Sequence, residues 1–333
     1  MKISDNFIKE HQCHEISDVL GYDSFISIKL LDKGWSTDKK YIVETADGQK
    51  QLIRIADIVQ HDHKKCEFEM MRRVAELGIP MSQPIKFGIC SNGKKVYQLL
   101  SWVEGEDAET ILPLLSEAEQ YVFGLESGKT LHKIHSISTP HNEVDYLAYR
   151  KNWAERFNRK VDKNIKMYKE CAIKVSGGDS FINYIECNRK LLEDRPQCFQ
   201  HGDYHVGNMI INNSITTLSI IDFNRYDFGD PWEEFNRIVW SASVSPRFAS
   251  GQLHGYFGAT SLCDGGLEPP LEFFKLLAFY IASNALAHLP WAIPFGNDEI
   301  ETAIEQMQCI LEWFNNMNNP VPSWYLKDEF LNY

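Results

Sequence analysis

Alternation of apolar and polar residues in the first part of the chain predicts β-strands. The stretches are FISIKLL (25–31), KKYIVETADG (39–48) and QKQLIRIA (49–56). The Asp47-Gly48 dipeptide is a strong signal for a tight turn, so the second and third strands should form a hairpin. A further strand, KKVYQLLSWVEG (94–105), runs into a turn at Gly105.

Helical periodicity begins after these strands. Residues 64–77 place an apolar set on one face, formed by Cys66, Met70, Met71, Val74 and Leu77. Gly78 is suited to a C-terminal cap, and Pro80 stops the helix. The pattern predicts one helix that packs against the sheet.

The remainder is predicted to be mostly helical. Ser116 and Glu119 have the spacing of a capping box before a long helix that reaches about Ser136. Within it, GLESGKT (124–130) has one residue too few between its glycines for a P-loop, so helix packing explains it better. LLAFYIASNALAHL (276–289) is too short to span a bilayer and is predicted to be a buried helix.

This order of elements predicts an α+β fold with two lobes. Residues 1–100 form a small β-rich N-terminal lobe, 101–105 a hinge, and 106–333 a larger, mostly helical lobe. A cleft between such lobes is the default place for a ligand.

Charge restricts the partners. The 333 residues carry a net charge of −12. Proteins that bind nucleic acids usually have a basic surface, so a nucleic-acid partner is not expected. Residues 231–333 hold 4 Lys/Arg against 12 Asp/Glu. An acidic surface can attract a cationic small molecule, although it can equally serve solubility alone.

The cysteines indicate the compartment. Eight are scattered along the chain without a CxxC pair, which favours a reducing cytoplasm over a disulfide framework. No basic segment followed by an apolar one marks a secretory signal, and no membrane partner is expected.

The stretch HGDYHVGNMIINNSITTLSIIDFN (201–224) places Asp203, Asn208 and Asp222 beside two short apolar runs. NMII and TLSII are predicted to pair as short strands, which would place Asn208 near Asp222. Amide and carboxylate oxygens suit Mg²⁺, which takes few protein ligands and leaves positions for water and phosphate. Asp203 would then orient a hydroxyl and accept its proton, the arrangement of phosphoryl transfer.

The combination HGD-x-x-x-x-N, IIDF and GDPWEEF resembles the aminoglycoside phosphotransferase family, whose fold is protein-kinase-like. The resemblance spans roughly residues 25–240 and includes LHKIHS (131–136). It implies that Asp203 is the catalytic Asp, that Asn208 and Asp222 hold Mg²⁺, and that Arg225 lies near the phosphates. Asp230 is expected to brace the loop of the base.

The N-terminal elements follow the family order. The resemblance implies that the phosphates are bound by Ser36 and Thr37 of KGWSTDKKY (33–41), that the purine meets the backbone of Ser101 and Val103, and that Glu67, or alternatively Glu69, pairs with the nucleotide-binding cation. One departure is Arg54, which stands where the family has Lys; it keeps the charge and can bind phosphate through two N–H groups.

The resemblance implies a small-molecule kinase that uses ATP or GTP and Mg²⁺ and acts on a hydroxyl, with antibiotic resistance among the roles of the family. The acceptor stays open among aminoglycosides, macrolides, choline, homoserine and sugars, and so does the oligomeric state. A kinase-like protein that binds nucleotide without turnover is the alternative, supported only by Arg54. A zinc site at His201 and His205 is disfavoured, since nothing nearby completes a ligand set.

Overall fold

The computed structural model describes residues 15–32, 37–139, 153–258 and 268–327. These residues form two compact units. One contains the residues up to Glu106 together with Ile210–Asn224, and the other contains Asp107–Met209 and the residues from Arg225 onwards. The first unit therefore includes a hairpin that the sequence places within the predicted second lobe.

A five-stranded antiparallel sheet of order β1-β2-β3-β5-β4 forms the centre of the first unit. Its strands are β1 (Phe25–Leu30), β2 (Lys39–Thr45), β3 (Lys50–Asp57), β4 (Pro84–Cys90) and β5 (Lys95–Ser101). Sequence analysis missed β4. Its Pro84 speaks against an interior strand, but β4 is an edge strand, where proline is tolerated.

Helix α1 (His61–Ala75) packs against the sheet. Its buried stripe contains Glu67, Met70, Met71 and Val74, which follow the spacing i, i+3, i+4, i+7. Cys66, predicted to lie on this face, is exposed. That prediction was wrong because the stripe begins at a buried charged residue, which an apolar pattern does not reveal.

A hairpin from later in the chain completes the first unit. Its strands are β8 (Met209–Asn212) and β9 (Thr217–Ile220), which with β6 (Glu106–Asp107) form a three-stranded sheet of order β6-β8-β9. Ile220 N donates to Pro80 O at 3.0 Å, and Ser82 N donates to Ile220 O at 3.3 Å. These bonds tie the residues that lead into Asp222 to the first unit.

The second unit is mostly helical. Its helices are α2 (Ala108–Ile111), α3 (Glu117–Ile134), α4 (Trp153–Glu170), α5 (Asp179–Asn188), α6 (Ile238–Val244), α7 (Pro246–Gly258), α8 (Leu271–Ala292) and α9 (Asn297–Trp313). Two short strands, β7 (Cys198–Gln200) and β10 (Asp227–Gly229), pair antiparallel. The predicted capping box at Ser116 and Glu119 is confirmed.

Helix α8 is the core helix of this unit. Leu271–Phe295 is long and apolar enough to cross a membrane by length and composition, but 67% of the most apolar window is buried inside the protein. It packs against α4, α5 and α9. The prediction of a buried helix is confirmed, with a longer span than the apolar run suggested.

Helices α3 and α7 lie unusually close together. A Cβ atom on Gly124 or Gly128 would lie 2.2 Å and 2.1 Å from backbone carbonyl oxygens of α7, and one on Gly255 would lie 2.1 Å from Leu125 O. Only glycine permits this approach of two backbones. The glycines of GLESGKT therefore serve helix packing, as predicted.

Candidate active site

A short strand delivers the loop that carries the predicted base. β7 ends at Gln200, and His201, Gly202 and Asp203 follow at once. Gly202 has φ +84°, and a Cβ atom there would lie 1.9 Å from Arg225 O. Because both the backbone angle and the space exclude a side chain, this position of the loop requires glycine.

The buried carboxylate of Glu234 holds the loop of residues 201–203 through a hydrogen bond. Gly202 N donates to Glu234 Oε1 at 3.0 Å and lies 3.2 Å from Oε2. His135 Nε2, from LHKIHS, lies 3.8 Å from Glu234 Oε2, and His135 Nδ1 lies 3.0 Å from Tyr256 OH. Burial alone would raise the pKa of Glu234, but the neighbouring imidazoles of His135 and His201 and the hydrogen bond from Gly202 N lower it.

A second brace acts through Asp230, which is fully buried. Its carboxylate accepts from Arg195 Nε at 2.7 Å and from Tyr280 OH at 2.6 Å. Its backbone oxygen accepts from Gln200 Nε2 at 2.8 Å, one residue before the loop. This contact lies next to the loop, which fits the expectation that Asp230 braces the loop of the base.

The Asp203 side chain is 16% exposed and lies among basic side chains. Its Oδ1 is 3.3 Å from Arg237 Nε and 3.7 Å from His205 Nε2, and its Oδ2 is 3.7 Å from Arg225 Nε. Burial lowers the pKa of His205 to about 4, with Asp203 opposing and Arg237 reinforcing the shift. His205 is therefore uncharged near neutral pH, and Asp203 faces two guanidinium groups.

Asn208 is oriented by the same loop. It ends a short 3-10 turn (Val206–Asn208), and its Nδ2 donates to Asp203 O at 2.9 Å. Since the nitrogen is used in this bond, the amide oxygen points away from it and can serve as a hard ligand. The geometry fits the predicted metal-binding role of Asn208.

Asp222 belongs to the first unit and has φ +66°. Its Oδ1 accepts from Arg54 Nη1 at 2.8 Å, and its side chain is 29% exposed. The described part of the chain contains no group of three or more His, Cys, Asp or Glu that could hold a metal. Mg²⁺ usually takes one or two protein carboxylates, and Asp222 offers one of this kind.

Arg54 lies in a buried charge network of the first unit. Its Nη1 is 4.0 Å from Glu67 Oε1, and its Nη2 donates to Asp38 Oδ2 at 2.9 Å. Lys64 Nζ donates to Asp38 Oδ2 at 2.7 Å and to Glu67 Oε2 at 3.1 Å. Burial would lower the pKa of Arg54, but the charges of Asp222, Glu67 and Asp38 raise it.

The two candidate helix glutamates are distinguished by their surroundings. Glu67 is fully buried in this network, whereas the side chain of Glu69 is 53% exposed and pairs with Arg72. The structure therefore brings Glu67, and not Glu69, together with Arg54.

The remaining predicted nucleotide contacts differ in their accessibility. Thr37 is exposed, and Ser36 lies outside the described residues. Ser101 N donates to Gln83 O at 2.8 Å, so this N–H group is already used within the sheet. Among the described residues the backbone of Val103 makes no hydrogen bond, which leaves it able to meet a base.

Sequence reasoning missed four residues of these clusters: Asp38, Lys64, Glu234 and Arg237. Lys64 lies one helical turn before Glu67, a spacing that favours an ion pair and could have indicated it. Glu234 lies within the matched GDPWEEF stretch. Arg237 and Asp38 carry no local signal, since their partners are distant in sequence.

The chain was compared with protein families and with curated protein sequences. A family model described as "Phosphotransferase enzyme family" matches residues 27–268. No curated protein sequence matches the chain significantly.

Solved structures resemble the chain along most of its length. A thermostable mutant of an aminoglycoside phosphotransferase, in its apo form, is 18% identical, with 89% of this chain and 97% of that chain covered and a TM-score of 0.60. The GDP complex of aminoglycoside 2'-phosphotransferase-IIIa is 12% identical, covering 92% and 97%, with a TM-score of 0.61. A choline/ethanolamine kinase family protein from Mesorhizobium loti is 11% identical, covering 92% and 95%, with a TM-score of 0.62.

At such identities the likeness concerns the fold. The predicted α+β, kinase-like architecture is confirmed by it, with an antiparallel sheet in the first unit and a helical second unit.

Proposed function

Because this chain belongs to the phosphotransferase enzyme family, we propose that it is a small-molecule kinase that transfers the γ-phosphoryl group of ATP or GTP to a hydroxyl. The observation that carries the proposal is the geometry of the HGD loop. Gly202 is pinned by a buried carboxylate, and the adjacent Asp203 keeps a partly exposed side chain. A pinned loop with an accessible carboxylate suits a base that must be held in place.

Asp203 is the base in this proposal. It orients the acceptor hydroxyl and accepts its proton, while the hydroxyl oxygen bonds to the γ-phosphorus and the bond from that phosphorus to the leaving nucleoside diphosphate breaks. Arg237 and Arg225, within 3.3 Å and 3.7 Å of its oxygens, hold the carboxylate by opposite charge. Such positioning, with charge stabilisation, accounts for most of the catalysis of phosphoryl transfer.

Asn208 and Asp222 are the proposed ligands of Mg²⁺. The metal, when bound, supplies positive charge that offsets the charge on the phosphate oxygens. Asn208 contributes its amide oxygen, since Nδ2 is held by Asp203 O at 2.9 Å. Asp222 contributes a carboxylate that here accepts from Arg54 Nη1 at 2.8 Å.

Arg54 is the proposed partner of the nucleotide phosphates, together with Thr37 and Ser36, and Val103 is the proposed partner of the base. Guanidinium is suited to phosphate because it offers several N–H donors in one plane. Nucleotide use is supported by solved structures of the same fold, which include complexes with ADP and with AMP-PNP.

The acceptor is proposed to be a hydroxyl-bearing small molecule. The related folds include proteins named for aminoglycosides, amicoumacin and choline or ethanolamine. A cationic acceptor is supported by the acidic residues 231–333. A cytoplasmic location is supported by the cysteines, of which the six in the described residues are free.

The test is a screen of acceptors with Mg·ATP and Mg·GTP. The panel holds an aminoglycoside, a macrolide, choline, homoserine and a hexose, and it measures nucleoside diphosphate release and the phosphorylated product by mass spectrometry. We expect at least one acceptor to gain one phosphoryl group. A wild-type protein that binds Mg·nucleotide but phosphorylates none of them would favour the alternative of nucleotide binding without turnover.

A further inference from the structure

A single carboxylate oxygen collects three hydrogen bonds inside the first unit. Asp38 Oδ2 accepts from Arg54 Nε at 3.2 Å, from Arg54 Nη2 at 2.9 Å and from Lys64 Nζ at 2.7 Å. All three side chains are at most 6% exposed. Asp38 therefore holds one edge of the guanidinium and the ammonium group at the same time.

Lys64 is the closer partner of the helix glutamate. Its Nζ lies 3.1 Å from Glu67 Oε2, whereas Arg54 Nη1 lies 4.0 Å from Glu67 Oε1. Glu67 Oε1 is buried and has no hydrogen-bond partner among the described residues. The family resemblance implies that Glu67 pairs with Arg54 of strand β3. In the structure Glu67 pairs chiefly with Lys64 of its own helix.

The charges that link helix and sheet are exchanged as a result, relative to a pair formed by a cation of the sheet and a carboxylate of the helix. Lys64 comes from α1, and Asp38 directly precedes β2. The ammonium group lies on the helix and the carboxylate on the sheet side, and the bond between them is the shortest of the network at 2.7 Å. The Lys64–Glu67 pair lies within one helix and cannot make this connection.

The two hydrogen bonds from Arg54 to Asp38 Oδ2, here called the clamp, also orient the guanidinium group of Arg54. With Nε and Nη2 held by Asp38, the planar guanidinium directs Nη1 at Asp222 Oδ1, 2.8 Å away. An arginine has several rotatable bonds, so an unclamped one would lose this direction. Burial alone would raise the pKa of Asp38, but the charge of Arg54 and the hydrogen bond from Lys64 lower it, which is consistent with a charged clamp.

We propose that Asp38 and Lys64 are positioning residues for the nucleotide phosphates, which together allow an arginine to serve where the family has a lysine. Asp38 orients Arg54, and Lys64 joins α1 to the sheet and pairs with Glu67. The inference rests on the proposed function, since it assumes that Arg54 meets phosphate. Neither residue touches the reacting atoms.

The experiment compares ligands with and without phosphates. Isothermal titration measures the dissociation constants of Mg·AMP-PNP and adenosine, or of Mg·GMP-PNP and guanosine if the wild type prefers them. The variants are Asp38→Asn and Lys64→Met. Lys65→Met, at an exposed neighbouring position of α1, is the matched control.

Both variants should weaken triphosphate binding about tenfold to hundredfold, the usual effect of losing a hydrogen bond to a charged group. Nucleoside binding should change less than twofold, and the control should match the wild type. Lys64→Arg, which keeps the charge, should recover part of the loss. Should Lys64→Met not fold, the nearly isosteric Asp38→Asn and the charge-preserving Lys64→Arg supply the comparison.

Two results would overturn the inference while the proposed function survives. In one, Asp38→Asn binds the triphosphate as tightly as the wild type. In the other, it loses triphosphate and nucleoside affinity equally, as a purely structural residue would. A wild-type protein that binds neither triphosphate would instead contradict the proposed function itself.

Discussion

Glu234 offers the sharpest test of how the HGD loop is held, because two opposing effects act on its buried carboxylate. Burial of a charge costs free energy, so a neutral replacement could be harmless. The hydrogen bond from Gly202 N and the neighbouring His135 favour the charged form. The pKa of Glu234 is lowered overall, so the favourable interactions outweigh the burial and the charge stabilises the fold.

We therefore expect Glu234→Gln to lower the free energy of unfolding at pH 7. A bond from an N–H group to a charged acceptor contributes about 1.5–3 kcal/mol, and one to a neutral acceptor about 0.5–1.5 kcal/mol, so the loss should be about 1–2 kcal/mol. Glu234→Ala also leaves Gly202 N without a partner and creates a cavity, and should cost about 3–5 kcal/mol.

The stabilisation that the Glu234 carboxylate gives to the folded protein depends on pH. A carboxylate whose pKa is lowered by folding stabilises the protein above its unfolded pKa, near 4.5, and loses this effect as the pH falls below it. The difference between wild type and Glu234→Gln should therefore be full at pH 7 and shrink below about pH 4.5.

Urea unfolding at a series of pH values measures this difference. Glu126→Gln, at a side chain that is 55% exposed, serves as the control and should change stability by less than about 0.5 kcal/mol. If Glu234→Gln were as stable as the wild type at pH 7, or if its deficit did not shrink in acid, the reasoning about the loop brace would be refuted.

Three further predictions concern close approach and charge. Gly128→Ala should destabilise the protein by about 1–3 kcal/mol in thermal unfolding, since the new methyl group would lie 2.1 Å from a carbonyl oxygen of α7; an unchanged midpoint would contradict the packing. Gly202→Ala should abolish transfer but spare nucleotide binding, because its Cβ would clash with Arg225 O. A kinetic assay measures the transfer, and a titration measures the nucleotide binding. Asp222→Asn should weaken the Mg²⁺ dependence of nucleotide binding, and a titration with the same dependence as the wild type would remove it from the metal site.

Much of the fold could be predicted because its signals are local. The capping box of Ser116 and the hairpin at Asp47-Gly48 are set by residues within a few positions of each other, and the structure contains both the box and the two strands joined at that turn. The stripe of α1 was misplaced by one residue, because Glu67 is buried through ion pairs and not through apolarity. Edge strand β4 carries too weak a pattern to be recognised.

The candidate site could be predicted only as far as its motifs reach. Asp203, Asn208 and Asp222 lie within one short stretch of chain, so their types and spacing indicate chemistry directly. The residues that support the loop of Asp203 and the side chain of Arg54 have partners remote in sequence: Glu234 binds Gly202 across 32 positions, and Lys64 binds Asp38 across 26. Such pairs form only when the chain folds, and no periodicity or turn signal encodes them.

The measurement that tests the central claim most directly separates transfer from binding in Asp203→Ala. On an acceptor that the wild type phosphorylates, the transfer rate should fall about 10²–10⁴-fold, the usual effect of removing a positioned base. The dissociation constant of the Mg·nucleotide should stay within about twofold of the wild type, since the base acts on the hydroxyl. A variant that transfers phosphate at nearly the wild-type rate would contradict the assignment of Asp203, and with it the proposed phosphoryl-transfer site.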